Sequence, residues 1–197
     1  MIAPERTVLV LLAAGRSVRY GAANKLDAEF LGHPLGLHVV TALEGVPFLA
    51  RVAVVDDCTL DFASRGYTVI PNPTAATGMA GSVTLGVAHA KALDADAVLI
   101  ALADMPRVTA THVYRLLEAA HGPDAVVASS DGVSPKPPAL FGQSRFDFLL
   151  TLDGDTGARD LVRGGRHVVT SPAELFDIDT PDDLARLEEM VRPGHNF

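Results

Sequence analysis

The chain is poor in the features that mark several large classes of protein. It has a single cysteine, Cys58, so no internal disulfide can form and a reducing compartment fits. It has only three lysines (Lys25, Lys91 and Lys136), and its 24 acidic against 16 basic residues give a net charge of −8. No basic stripe is available to displace counterions from a nucleic acid. Its longest apolar runs, such as residues 8–14, are too short to span a bilayer. The start of the chain lacks the charged segment, apolar stretch and cleavage site of a signal peptide. The expectation is a soluble cytoplasmic protein whose partners are neither nucleic acid nor membrane. Two common phosphate-binding patterns are missing as well. Gly15 has no second and third glycine at dinucleotide-binding spacing, which disfavours a nicotinamide cofactor, and Gly-Lys-Ser/Thr does not occur.

What remains is a well-populated apolar chain. At 197 residues with 48 % hydrophobic content and mixed charge it can bury a full core, and the composition is that of a folded rather than a disordered chain. One domain is expected over residues 1–191, with 192–197 as a frayed tail. Apolar strand-like runs at 7–12, 51–55, 67–70, 97–103 and 124–129 alternate with helical patterns at 34–43, 81–93, 109–120, 156–162 and 181–190. That alternation predicts an α/β fold, a mostly parallel sheet flanked by helices. Thr109 and Thr180 read as helix caps, the second followed by Pro181, Asp182 and Asp183. Residues 130–138, dense in turn formers, read as a loop inserted between sheet elements.

Right-handed crossovers bring strand C-terminal ends to one edge, where ligands bind. Two conspicuous segments follow such ends. One is Leu12-Ala13-Ala14-Gly15-Arg16-Ser17-Val18-Arg19-Tyr20-Gly21, with Asn24-Lys25-Leu26 behind it. Small residues let backbone amides approach an anion, and Arg16, Arg19 and Lys25 add three cations. This chemistry suits a triphosphate; a strand-to-helix turn with surface basic residues is the plain alternative. The other is Asp104-Met105-Pro106. An aspartate at a buried strand end needs a pairing partner or a metal, unless it caps a turn. Asp177 and Asp179 alternate on an extended segment, and one of them could be a second Mg²⁺ ligand or a helix cap. Gly78-Met79-Ala80-Gly81-Ser82 opens a helix, so Ser82 suits a base or phosphate contact or a plain cap. The seven histidines form no metal-ligand spacing; His89 and His112 fall in helices as structural or surface residues.

Taken together these segments resemble the MobA-like nucleotidyltransferase family, nearest to its MocA-type molybdenum cofactor cytidylyltransferases. The family's Leu-Ala-Ala-Gly-x-Ser-x-Arg-(Met/Phe)-Gly motif with its Lys-Leu matches Leu12 to Gly21 and Lys25-Leu26. Gly78-Met79 with Ser82, Asp104 to Pro106, Gly154 to Arg159, and Asp177 to Leu184 match the later motifs in order. The resemblance implies a Rossmann-like fold of the nucleotide-diphospho-sugar transferase type that uses an NTP and Mg²⁺. It assigns Leu12, Ala13, Ala14, Gly15, Arg16, Ser17, Lys25, Gly78 and Ser82 to the nucleotide. It makes Arg19 and Lys25 phosphate contacts, and Asp104 and Asp179 the metal ligands. Arg19, Lys25 and Asp104 are thus the catalytic set. The Ala13-Ala14 pair resembles the cytidylyl branch and favours CTP over GTP. Molybdopterin is the implied phosphorylated acceptor, and a molybdoenzyme or its chaperone the implied protein partner. The chain departs from the family at Asp27-Ala28-Glu29-Phe30, at Gly81, and at Pro135-Lys136-Pro137-Pro138, which lacks a histidine. These departures are expected mainly around the acceptor.

The expected reaction is nucleotidyl transfer: an acceptor phosphate attacks the α-phosphorus of the NTP and pyrophosphate leaves. A phosphate monoester is already mostly dianionic at neutral pH, so no general base is needed. Rival readings are a GTP- or other NTP-dependent transferase with a different acceptor, a non-catalytic nucleotide-binding accessory protein and, third, a redox enzyme.

Overall fold

The computed structural model describes residues 1–15, 20, 24–154 and 158–191. Arg16, Ser17, Arg19 and the expected tail 192–197 therefore lie outside the described residues.

Strand β1 (Thr7–Ala13) is buried along its whole length, as a Val/Leu run between two layers must be. It pairs in parallel with β4 (Ala50–Val55) on one side and β6 (Ala97–Leu102) on the other. β5 (Thr68–Pro71), β7 (Val126–Ser130), β8 (Pro135–Gly142) and β9 (Arg166–Val169) complete a seven-stranded sheet of order β5-β4-β1-β6-β8-β7-β9. β8 alone runs against its neighbours, pairing antiparallel with both β6 and β7. The sheet is therefore mostly parallel, with the expected strand ends on one edge.

The two faces follow from the period-two alternation of β1. Leu9 and Leu11 join the core under α1 (His38–Ala42) and α3 (Ala110–Ala119). Val8, Val10 and Leu12 join the core under α2 (Met79–Ala92) and α4 (Phe146–Leu149). α2 lies unusually close to the sheet: a Cβ on Gly86 would sit 2.3 Å from a methyl of Val10. Helices α5 (Arg159–Gly164) and α6 (Pro181–Val191) follow. A third, small core joins Phe30 and Leu35 to Ile178, just before α6, and to Leu187 on it. It fastens a short hairpin, β2 (Glu29–Phe30) and β3 (His33–Pro34), to the C-terminal helix.

Two expectations are corrected. Residues 130–138 are not all loop: only 131–134 form the turn, and β8 begins at Pro135. Prolines lack the ladder N–H and read as loop residues, yet Pro135 begins the strand opposite Ser130, and Pro137 and Pro138 occur where the pairing is interrupted. The helix expected over 34–43 starts one residue later, because Pro34 ends a hairpin, and it opens as a 3-10 turn (Leu35–Leu37) before α1. Of the helix expected over 156–162, residues 156–157 lie outside the described residues, and the helix runs from Arg159 to Gly164. No helix among the described residues is long and apolar enough to cross a membrane.

Candidate active site

The end of β1 opens into a cavity of about 260 Å³. Leu12, Ala13, Ala14 and Gly15 form one wall, Gly78 and Ser82 another, and Lys25 and Asp104 close it. Every described residue assigned to the nucleotide from sequence thus lines this one cavity. Leu26, Ala75, Met79 and Leu102 line it too and were not singled out. They are apolar residues, Leu26 and Met79 within the matched motifs and Ala75 and Leu102 beside them, with no chemistry of their own to mark them.

Lys25 reaches the centre from a short 3-10 turn, Lys25–Asp27, whose amide at Leu26 donates to the Asn24 side chain at 3.0 Å. Its ammonium donates to Asp104 at 2.6 Å and to Asp179 at 3.1 Å. The Lys25 side chain is only 8 % exposed, so the pair with Asp104 is largely shielded from solvent. Burial opposes the Lys25 charge, but Asp104 and Asp179 together outweigh it and raise its pKa. Asp104 is raised as well: burial dominates, Lys25 opposes, and the charges of Asp177 and Asp179 add to the rise. Its second oxygen, Oδ1, is buried with no hydrogen-bond partner among the described residues.

Asp179 is brought to Lys25 by local structure at the start of α6. The Ile178 amide donates to the Asp104 carbonyl at 3.0 Å, tying the two acidic segments together. The Asp183 carboxylate accepts from the Asp179 and Thr180 amides at 3.2 and 2.9 Å, and the Asp183 amide donates to the Thr180 hydroxyl at 3.2 Å. Thr180 is therefore the cap that its sequence context indicated. Asp177 is exposed and acts on Asp104 only through charge.

Ser82 does not cap α2. The helix begins at Met79 after Gly78, whose φ of 119° is a conformation that favours glycine. Ser82 is buried in the first turn and accepts from Asn72 Nδ2 at 2.9 Å. The Asn72 carbonyl in turn accepts from the Thr74 amide at 3.1 Å and hydroxyl at 2.9 Å. Asn72, a buried polar residue at the end of β5, escaped the sequence reading; its position beyond a strand end was the available clue.

A second cavity, about 340 Å³, adjoins the first across Met79 and Leu102. Val83, Ile100, Ala139, Phe141 and Val162 make it apolar, and Lys136 and Arg159 place cations at its wall. The unusual Pro135–Pro137 stretch lines it. Asp27 and Phe30 do not. Asp27 accepts from the Thr59 hydroxyl at 2.7 Å, and Phe30 is buried in the small third core. Those two departures from the family pattern are structural.

The chain belongs to the MobA-like NTP transferase domain family, whose pattern matches residues 9–170. It is 32 % identical to the purine catabolism protein PucB of Bacillus subtilis strain 168, over 93 % of this chain and 94 % of that one. It is 24 % identical to a molybdenum cofactor guanylyltransferase of Vibrio parahaemolyticus, over 96 % of this chain and 99 % of that protein. Nicotine blue oxidoreductase of Paenarthrobacter nicotinovorans is 28 % identical, with 93 % and 94 % covered. Among solved structures, Rv0371c of Mycobacterium tuberculosis H37Rv superposes with a TM-score of 0.77 at 22 % identity, over 93 % of this chain and 98 % of that one. A manganese complex of the same protein gives 0.74 at 21 % identity, with 94 % and 99 % covered. The fold is thus that of the nucleotidyltransferases, and the family assignment made from the motifs holds.

Proposed function

We propose that this protein is a Mg²⁺-dependent cytidylyltransferase that moves CMP from CTP to a phosphorylated, molybdopterin-type acceptor and releases pyrophosphate. The observation that carries the reading is the bridge of Lys25 between Asp104 and Asp179 at the mouth of the small-residue cavity.

The donor set fits a divalent cation. Among the described residues, no three His, Cys, Asp or Glu side chains make a complete protein cage. Mg²⁺ needs none, because it takes one or two carboxylates and completes its shell with waters and substrate phosphate. Asp104 offers a buried oxygen without a hydrogen-bond partner, and Asp179 a second carboxylate close by. These two residues would hold the ion, which when bound polarises phosphate oxygens and neutralises their charge. The manganese complex of Rv0371c supports a divalent ion in a protein of this fold.

The chain's own groups account for the rest. Backbone amides along 13–15 and the start of α2 receive the nucleotide, and the Asn72-oriented Ser82 hydroxyl faces the same cavity. Lys25, and by the motif Arg16 and Arg19, offset charge that builds on the leaving phosphates. The acceptor phosphate oxygen forms a new bond to the α-phosphorus. The bond from that phosphorus to the β-phosphate oxygen breaks, and its electron pair leaves with pyrophosphate. No side chain need remove a proton from an acceptor already dianionic. Catalysis is positioning and charge neutralisation. The neighbouring apolar cavity, with Lys136 and Arg159 at its wall, suits a flat heterocycle carrying an anionic group.

The test is pyrophosphate release with molybdopterin and Mg²⁺, supplying CTP, GTP, ATP or UTP. CTP is expected to be preferred, and Asp104→Ala should reduce turnover by about a hundredfold or more, the scale for losing a main electrostatic group. Preference for GTP would transfer the reading to the guanylyl chemistry of the Vibrio relative. Near-normal turnover in Asp104→Ala would sink the site assignment.

A further inference from the structure

The ladder between β7 and β8 contains an irregularity that bears on the apolar cavity. Ala128 pairs with Ala139, but the next residue, Ser129, pairs with Lys136. Pro137 and Pro138 therefore have no partner residue on β7. On the other side, the pairing with β6 ends at Ile100 and Ala139. Proline has no N–H to donate, so backbone pairing cannot hold this bulge as it holds the rest of the strand.

Side chains take over that task. The Ser129 hydroxyl donates to the Pro138 carbonyl at 2.8 Å, and His112 Nε2 lies 2.7 Å from the same hydroxyl oxygen. A carbonyl can only accept, so the single hydroxyl proton is committed to Pro138, and His112 Nε2 must be the donor to Ser129. His112 is 1 % exposed and Ser129 is fully buried, so neither bond is exchanged for water. His112 is itself held in the first turn of α3. Its amide donates to the Thr109 hydroxyl at 3.1 Å, and Thr109 is anchored in turn by Glu174.

We infer that His112 is a positioning residue for the acceptor: acting through Ser129, it fixes the Pro137–Pro138 bulge and so the wall of the apolar cavity. Lys136 and Pro137 belong to that wall, and the bulge sets where they stand. The inference rests on the proposed function only in assigning that cavity to the acceptor. The relay from helix to bulge stands apart from it.

Two readouts separate these parts. The first is hydrogen exchange at the Lys136 and Ala139 amides, the donors flanking the prolines. His112→Ala should accelerate both, while His112→Gln, which can still donate an N–H, should keep them close to wild type. Ser129→Ala should act like His112→Ala. The second is a fluorescence titration with pterin-6-carboxylate as a flat anionic probe. His112→Ala is expected to weaken its binding about tenfold, the scale for leaving a buried polar partner unsatisfied, with Mg²⁺-CTP binding unchanged. Unchanged exchange in His112→Ala would overturn the relay, as would a His112→Gln protein as impaired as His112→Ala. If the wild-type protein ignores the pterin, the acceptor assignment fails, and exchange alone still decides the relay.

Discussion

At the residue scale, two buried ionisable side chains, Lys25 and His112, are held on opposite principles. Lys25 keeps its charge although burial opposes it, because Asp104 and Asp179 supply more than the lost hydration. His112 does the reverse. Burial is the largest influence on it and lowers its pKa, Arg115 lowers it further, and only Glu174 pulls the other way. Its Nδ1 is buried without a hydrogen-bond partner among the described residues, so a second proton there would have nothing to bond. The neutral, Nε2-protonated ring is the native form. The sign of the linkage follows. Below its ordinary value of 6.5 the unfolded histidine takes up a proton that the folded one refuses, so stability falls as the pH drops from about 6.5 through the lower folded-state value. His112→Gln removes this one titration and leaves every other in place. Urea unfolding between pH 7.5 and 5.5 should show the stability advantage of wild type over His112→Gln shrinking as the pH falls. Parallel curves would mean that the imidazole is not buried neutral.

At the element scale, the placement of Asp179 depends on the small third core. Phe30 and Leu35 come from the hairpin region, Ile178 precedes α6 and Leu187 lies on it. The hairpin follows directly from the turn that carries Lys25, and α6 follows directly from Asp179. One apolar cluster therefore ties the two partners of the ion pair together from behind. Phe30→Ala should cost roughly 3–5 kcal/mol of stability, as truncation of a buried aromatic does. It should also raise the Mg²⁺ concentration needed for half-maximal pyrophosphate release, because Asp179 loses its anchor; an unchanged Mg²⁺ requirement would separate this core from the site. None of this was legible beforehand, since Phe30 and Leu187 lie far apart in the chain and local pattern carries no pairing information. The strands β1, β4 and β6 were legible, being dominated by Val, Leu, Ile and Ala, with only Thr7 and Arg51 standing out. β8 was half hidden because its prolines signal a loop, and β9, four residues with only one buried, gave no periodic signal.

At the scale of the whole molecule, the site was more legible than the elements around it. A mostly parallel sheet forces the ends of β1 and β6 together, so two motifs some eighty residues apart had to share a cavity, and Lys25 does meet Asp104. The proposed triphosphate site does not conflict with a net charge of −8. A local field is set by nearby charges and amide dipoles rather than by the overall charge, and Lys25 stands at the edge where β1 ends. Lys25, however, is already shared between two carboxylates, with Asp177 near enough to act on Asp104. A triphosphate arriving alone would meet that acidic cluster, whereas one arriving with Mg²⁺ brings the charge to offset it. Thermal unfolding of the full chain should therefore show strong synergy. At a hundredfold excess over Kd, Mg²⁺-CTP contributes about 2.7 kcal/mol by mass action. For a chain of this length, that raises Tm by roughly 5–10 °C. CTP without the metal, or Mg²⁺ without CTP, should each move Tm far less. NADH is the control suggested by the oxidoreductase relative. A shift with NADH alone would remove the nucleotidyl-transfer reading while leaving the fold intact, and an equal shift by CTP with and without Mg²⁺ would remove the metal from the site.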